Sequence, residues 1–394
     1  MRVKTAIMAT LLMLGFGVRG TAQELGFNLI VVGDPQPQTE EQIARLEGEI
    51  VPKIGDIVEE YRATSNLPIA ILLTGDVVWD TMEFLPRVKA MFESLGVPVY
   101  AVIGNHDHDR GVDGDEPLAQ SHYEATFGER YYTFDLGSTR FVALDNISYN
   151  NYYDNSLDVD KEQLKWLRKL MRKTPFTQRV AVAMHAPVMD FRNGKMIPYG
   201  RKLMRILRNH EVHFITGHGH RHFTYDIEQK PAKPQVVEHS VAQVNGNLWF
   251  APICADGTPQ GVFCIEERDR AWQWHHQPLD KSMDSPLVVW GEGEVAQHEE
   301  YVVVKVIGWD DKWRVEWFEN GENMGAMEQI VIADPDYLHY VDCCADYEDI
   351  IMERLRRSAL PARHYFRCRR TVQNSEITIV ATDRFGRRFT IVAE

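Results

Sequence analysis

The sequence predicts an α/β layered domain followed by a smaller all-β sandwich. Three observations predict it. Strand and helix signals alternate from about residue 28 to residue 216, and such alternation builds a sheet covered by helices. Beyond 222 the helical signal gives way to short β-like runs. Five apolar runs rich in Val and Ile, of the kind that form buried strands, are closed by Gly or by a metal-binding residue type.

In order along the chain, MRVKTAIMATLLMLGFGVRGTAQ places Arg2 and Lys4 before a short apolar stretch and ends on small residues. This is the pattern of a signal peptide, assigned to residues 1–22, and it predicts export to the periplasm or beyond. No stretch reads as a transmembrane segment; the apolar part of the leader is shorter than the about 20 residues a span requires. A strand at 28–32 leads through Asp34-Pro35-Gln36-Pro37 to Thr39-Glu40-Glu41-Gln42, a capping box that opens a helix to about Arg62. A strand near 69–73, a helix near 83–95 and a strand near 97–103 follow. YYTFDL and RFVALD read as an antiparallel pair around Gly137-Ser138. A helix from about Asp160 to Arg172 carries Leu164, Leu167 and Met171 at helical spacing. Strands near 179–184 and 212–216 bracket a helix around Arg201–Asn209.

The composition changes near Lys281-Ser282, which divides the chain into a domain at 23–282 and a second at 283–394. In the second, YVVVKVIGW, KWRVEWFENG, HYFRCRR, ITIVATD and RFTIVA alternate apolar and polar residues, and only Asp346 to Ser358 reads as helical. The length of 394 residues favours two domains. A net charge of −14 argues against a standing nucleic-acid partner, which requires clustered Lys and Arg. Five cysteines permit disulfides but leave one thiol over, and none sits in a metal-type CxxC.

The chemistry is at the strand ends. Asp34, Asp76, Asn105, His106, Asp107, His185, His218 and His220 all follow apolar runs directly, so their side chains are expected to meet at one edge of the sheet. Carboxylates, imidazoles and an amide are the donors two divalent cations would share. Asp76 is the candidate for a bridging carboxylate, with Asp34 and His220 completing one site and Asn105, His185 and His218 the other. Such a pair could activate water for attack on a phosphoester. His106 is expected to face substrate as acid or charge stabiliser. Asp107 is expected either to orient the His106 ring or to act as a turn cap.

Gly75-Asp76, Gly104-Asn105-His106-Asp107, His185 and Gly217-His218-Gly219-His220 are similar to the motif series of calcineurin-like metallophosphoesterases over roughly residues 28–225. The resemblance implies a four-layer αββα sandwich, two metal ions (Mn, Fe, Zn, Mg or Ca), Asp34, Asp76, Asn105, His185, His218 and His220 as ligands, and His106 as the catalytic acid. One position departs from the family pattern: Gln36 stands where most members have His. Gln36 is a candidate ligand, and its neutral carbonyl is a weaker donor than imidazole. DDKWRVEWFENGENMG, DPDY and ATDRFGRRF resemble the C-terminal domain of a group of exported bacterial (Bacteroidetes-type) members of the family.

The function expected is therefore phosphomonoester or phosphodiester hydrolysis, on a small-molecule or glycan substrate. The competing reading is a weak or inactive envelope- or carbohydrate-binding protein on the same scaffold, favoured only by Gln36. The polar segment Ala255 to Gly261 is read either as a loop able to close over the site or as a plain turn. Tyr149, Tyr152, Tyr153, Phe191 and Tyr199 are read either as lining a sugar or base pocket or as packing. His222 is read as a strand residue rather than a further ligand.

Overall fold

The computed structural model describes residues 26–283, 285–343 and 357–393. The leader assigned to 1–22, and nearly all of the helix expected at 346–358, lie outside the described residues. No helix among those described is long and apolar enough to cross a membrane.

Two sheets face each other. The first runs β11-β10-β1-β2-β3, with β1 (Gly26–Val32), β2 (Ile69–Leu73) and β3 (Val99–Ala101) parallel, and with β10 (Gly261–Arg268) and β11 (Ala271–Pro278) added antiparallel. The second runs β8-β9-β7-β6-β5-β4. Its centre is parallel: β5 (Thr139–Ala143), β6 (Val180–Ala183), β7 (Val212–Thr216) and β9 (Val236–Ser240). Its edges, β4 (Tyr132–Leu136) and β8 (Phe223–Asp226), are antiparallel.

Helices cover both outer faces. On the first sheet lie α1 (Glu40–Arg45), its π-helical continuation Leu46–Ile50, α2 (Val51–Thr64) and α3 (Leu85–Glu93). On the second lie α4 (Lys161–Met171) and α5 (Pro198–Leu207). Between the sheets, Phe27, Leu29, Leu72, Phe141, Ala181 and Ile215 form a separate buried layer. This is the four-layer αββα sandwich. The strands are apolar on both faces because one face meets the opposite sheet and the other meets helices.

The α1 start follows its sequence: Thr39 Oγ1 accepts the Gln42 N–H at 3.2 Å. The Gln42 side chain reaches back to the N–H of Gln38 rather than that of Thr39. Asp160 caps α4 by accepting from Glu162 and Gln163.

The strands after residue 286 form two four-stranded sheets, β12-β13-β17-β16 and β15-β14-β18-β19. Their members are β12 (Leu287–Trp290), β13 (Val302–Val306), β14 (Arg314–Glu319), β15 (Glu322–Ala326), β16 (Glu328–Ile332), β17 (Ala362–Cys368), β18 (Ile377–Thr382) and β19 (Arg388–Ala393). Val304, Val306, Trp317, Ile377 and Ile379 fill the space between them. A helix α6 (Pro335–Cys343) was not expected. Its start is marked by Asp334, which accepts the Tyr337 N–H at 2.6 Å, with Pro335 as the first helical residue.

This second part grips the first. Arg384, on the β18–β19 turn, bonds Asp310 at 2.7 Å and Asp226 at 2.9 Å, and its guanidinium lies 4.9 Å from the Trp274 ring centre. Arg387 donates to the Trp274 carbonyl.

The segment Ala255 to Gly261 is not a lid. It is buried as a turn between the two parts, with Cys254 N–H bonded to the Thr258 carbonyl and Tyr365 Oη donating to the Asp256 carbonyl. Gly257 there has φ +88, and a Cβ would meet Tyr365 Oη at 2.2 Å, so no larger residue fits. Cys254, Cys264 and Cys368 are buried free thiols, and Cys343 is free and exposed.

Candidate metal centre

Asp34 follows β1, Asp76 follows β2, the turn Asn105–Asp107 follows β3, His185 follows β6, and His218 and His220 follow β7. The two sheets thus deliver their donors to one end of the sandwich. Atoms of Asp76, His185 and His218 lie within 4.8 Å of one another, a group that could hold a metal ion. His185 Nε2 is 3.3 Å from Asp76 Oδ1 and 3.1 Å from Asn105 Oδ1, and His218 Nδ1 is 3.1 Å from His185 Nε2. On the other side His220 Nε2 is 3.6 Å from Asp34 Oδ2, which also accepts the His218 N–H at 2.8 Å.

Five candidate ligands hold left-handed backbone: Asp34 (φ +34), Gln36 (+46), Asp76 (+46), His218 (+62) and His220 (+50). Such conformations are costly for residues with a side chain and cluster at functional sites. The turns that force them need glycine. A Cβ on Gly217 would stand 2.4 Å from Asp34 Oδ1, and one on Gly104 would stand 2.2 Å from Asp76 Oδ1.

The donors fit a cation. Asp34 Oδ1 and Gln36 Oε1 are buried and have no hydrogen-bond partner among the described residues. Burial and the nearby His185 push His218 down to about 3, and burial pushes His220 down to about 4, so both imidazoles are neutral, as ligands must be. Burial works against ionisation of Asp76, yet His185 holds it well below the usual carboxylate range. Against its own burial, His185 is raised to about 10 by Asp76, so a cation bound there would have to displace its proton.

Gln36 joins this group. Its Nε2 donates to Asp76 Oδ2 at 2.7 Å, and its backbone carbonyl is held by Trp249 Nε1 at 3.1 Å. His106 sits at the same end, its N–H bonded to Asp76 Oδ1 at 2.9 Å. Asp107 does not orient it. Both Asp107 oxygens are taken by backbone, from Gly104 N–H at 2.8 Å and Val78 N–H at 3.1 Å, which makes it the cap of its turn. The ring partner is Asp80, whose Oδ1 lies 2.9 Å from His106 Nδ1, while Trp79 stacks on the imidazole at 4.1 Å. Sequence reasoning missed both, although their spacing from Asp76 put them within reach of the next strand end.

A cleft of about 470 Å³ borders the centre, lined among others by Gln36, Trp79, Arg110, Tyr152 and Trp249. Of the aromatic candidates, Tyr152 lines this cleft with Arg110 stacked on it at 3.9 Å. Tyr149 and Tyr199 are packing residues; Tyr149 stacks on His108, and Tyr199 bonds the Ala186 carbonyl. Tyr153 is exposed. Phe191 lies under Arg221 in a neighbouring pocket. His222 immediately precedes β8 and is buried against Phe263.

An αββα sandwich with carboxylate, imidazole and amide donors gathered on facing strand ends defines a metallophosphoesterase. The chain belongs to the calcineurin-like phosphoesterases, a family of metal-dependent phosphoester hydrolases: the family "Calcineurin-like phosphoesterase" matches residues 27–222, and "C terminal of Calcineurin-like phosphoesterase" matches residues 238–389. No curated protein matches the chain. Among solved structures, it is similar to a purple acid phosphatase from yellow lupin (Lupinus luteus) seeds, at 14% identity and a TM-score of 0.47, over 66% of this chain and 52% of that one. It is also similar to a 5′-nucleotidase precursor from Thermus thermophilus, at 13% identity and a TM-score of 0.39, over 64% of this chain and 54% of that one. A phosphopantetheinyl hydrolase from Mycobacterium tuberculosis is similar at 13% identity and a TM-score of 0.35, over 56% of this chain and 90% of that one. The chain thus spans about half the length of two of these three proteins.

Proposed function

We propose that the chain is an exported phosphoester hydrolase that holds two divalent cations, with a catalytic part ending near residue 282 and a β-rich part after it. The observation that carries the reading is the meeting of Asp76, His185 and His218 with Asp34 and His220, beside His106, whose backbone N–H bonds Asp76. Asp34, Gln36 and His220 would hold one cation, and Asn105, His185 and His218 the other, with Asp76 shared. Bound there, the cations would supply Lewis acidity toward the phosphoryl oxygens and lower the pKa of water.

The chain's own residues do the rest. With Nδ1 of His106 engaged by Asp80, Nε2 is the atom that gives a proton to the departing ester oxygen. Trp79 fixes the plane of that ring. Tyr152, Trp249 and Arg110 offer the leaving group aromatic and cationic surface, which suits a small-molecule or glycan phosphoester. Export rests on the basic and apolar pattern of the first 22 residues.

The test is hydrolysis of p-nitrophenyl phosphate and bis-p-nitrophenyl phosphate by metal-stripped protein reloaded with Mn, Fe, Zn, Mg or Ca, with metal content measured in parallel. Activity that returns with two metals per chain and is lost in His106→Ala supports the reading. Silence on both esters with every metal sinks it. Amino-terminal sequencing of protein recovered from the periplasm or medium of its host tests export.

A further inference from the structure

A second pocket opens one residue past His220. It measures about 130 Å³ and is walled by Arg221, His222 and Asp256 from the first part of the chain and by Trp309, Arg363 and His364 from the second. We infer that it is an oxyanion subsite, which holds a second anionic group, a phosphate or a carboxylate, of the phosphoester cleaved at the neighbouring centre. The inference rests on the hydrolase reading only for the word substrate; the subsite itself stands on its own geometry.

The pocket is lined by polar groups that the protein does not satisfy, most of them donors. Arg221 Nε, Trp309 Nε1 and both ring nitrogens of His222 are buried and have no hydrogen-bond partner among the described residues. His222 is only 8% exposed. Buried polar groups in folded proteins are nearly always paired, so a cluster of orphans around one cavity points to a ligand. Asp256 does not serve them, because its oxygens accept from the His222 N–H, the Thr258 N–H and Thr258 Oγ1.

Charge selects an anion. An indole N–H can only donate, and a guanidinium carries positive charge with no acceptor. Arg221 is held in place by Phe191, 3.8 Å below its guanidinium, and Arg363 also lines the pocket. The facing acids are Asp256, already bonded, and Asp311, which lies 4.0 Å from Arg363. Size selects a single group, since the pocket is well below the roughly 300 Å³ at which pockets for whole drug-sized ligands begin. Arg221 directly follows the candidate ligand His220 in the chain, and the kinetic arm below decides between a group on the substrate and a separate effector. The pocket also gives the second part of the chain a task, because Trp309 and Arg363 complete it.

The test uses the full-length, metal-loaded protein with 15N-labelled tryptophan, the Trp309 indole signal being assigned with Trp309→Phe. Sodium phosphate and sodium acetate are titrated separately against sodium chloride at equal ionic strength, and the Trp79 signal reports on the metal centre. A saturable Trp309 shift is expected, weakened about tenfold in apparent Kd by Arg363→Gln, as loss of a charge-assisted contact implies. A response to phosphate alone or acetate alone identifies the group. A Trp309 signal that neither anion moves overturns the subsite. If Trp309 responds while no ester is cleaved, the subsite stands and the hydrolase reading falls. In the kinetic arm, ω-carboxyalkyl phosphates are compared with plain alkyl phosphates. A gain in kcat/KM at one chain length, lost in Arg363→Gln while the plain esters are unaffected, assigns the group to substrate; no gain at any length overturns that assignment.

Discussion

Asp80 Oδ1 lies 2.9 Å from His106 Nδ1, and Asp80 Oδ2 takes a guanidinium N–H from Arg110 at 3.2 Å. One carboxylate therefore ties the expected proton donor to a residue of the adjoining cleft. Asp80→Asn keeps the shape and removes the charge, and should lower kcat by about 10- to 100-fold, in line with other orienting partners, with KM little changed. Steady-state kinetics on p-nitrophenyl phosphate at saturating metal would show it. An unchanged kcat would mean that the pair only braces the turn.

Gln36 presents an amide where an imidazole would bind more firmly. Gln36→His should slow metal loss to EDTA by about tenfold, as expected when a weak donor is replaced by a preferred one. Mass-spectrometric metal analysis over the time course is the readout. Equal loss rates would place Gln36 outside the coordination sphere, as a hydrogen-bond partner of Asp76 only.

Three histidines away from the centre make the fold sensitive to acid. Burial lowers His213 and His239, whose rings meet at 3.0 Å, and burial with the neighbouring His222 brings His276 down to about 3. Each is neutral when folded and takes a proton when unfolded, so the stability they allow is present above the unfolded value near 6.5. It is lost as pH falls below that value; for His276 the loss runs down toward about 3, at about 1.4 kcal/mol per pH unit. Urea unfolding between pH 7.5 and 5 should show falling midpoints. Replacing His276 with Gln should flatten the slope, and an unchanged slope would remove His276 from the account.

In the second part, Lys305 is buried and its Nζ bonds Asp334 at 2.8 Å, with Tyr365 Oη donating to the same oxygen at 2.7 Å. Lys305→Met would leave a buried carboxylate without its cation and should cost about 3–5 kcal/mol. Chemical denaturation followed by tryptophan fluorescence would measure it. A loss below 1 kcal/mol would show that Tyr365 and the Tyr337 N–H suffice.

Much of the centre could be read from the chain, because a short apolar run fixes where a strand ends, and the next residue must then lie at the sheet edge. Asp34, Asp76, His185, His218 and His220 were legible for that reason. The role of Asp107 was not, since adjacency in sequence does not say whether a carboxylate turns toward a ring or toward backbone N–H groups. Asp80 was missed because its partner is 26 residues away. Helix α6 was hidden because its start depends on the capping carboxylate of Asp334, whereas the weak apolar periodicity pointed further along. The burial of the Ala255 to Gly261 turn depends on Tyr365, far off in sequence, so its polar composition left a closing loop and a plain turn equally open.

The clasp made by Arg384 and Arg387 has a consequence for how the chain could be shortened or could diverge. Trp274 is 7% exposed, with Arg384 over its face and Phe385 against its edge. A protein cut at residue 282 would bare that indole and leave Asp226 without its guanidinium, and would be expected to self-associate rather than stay dispersed. Descendants that discard the second part would have to trade Trp274 for a hydrophilic residue and Asp226 for an uncharged one in concert, so these two positions should drift together or not at all.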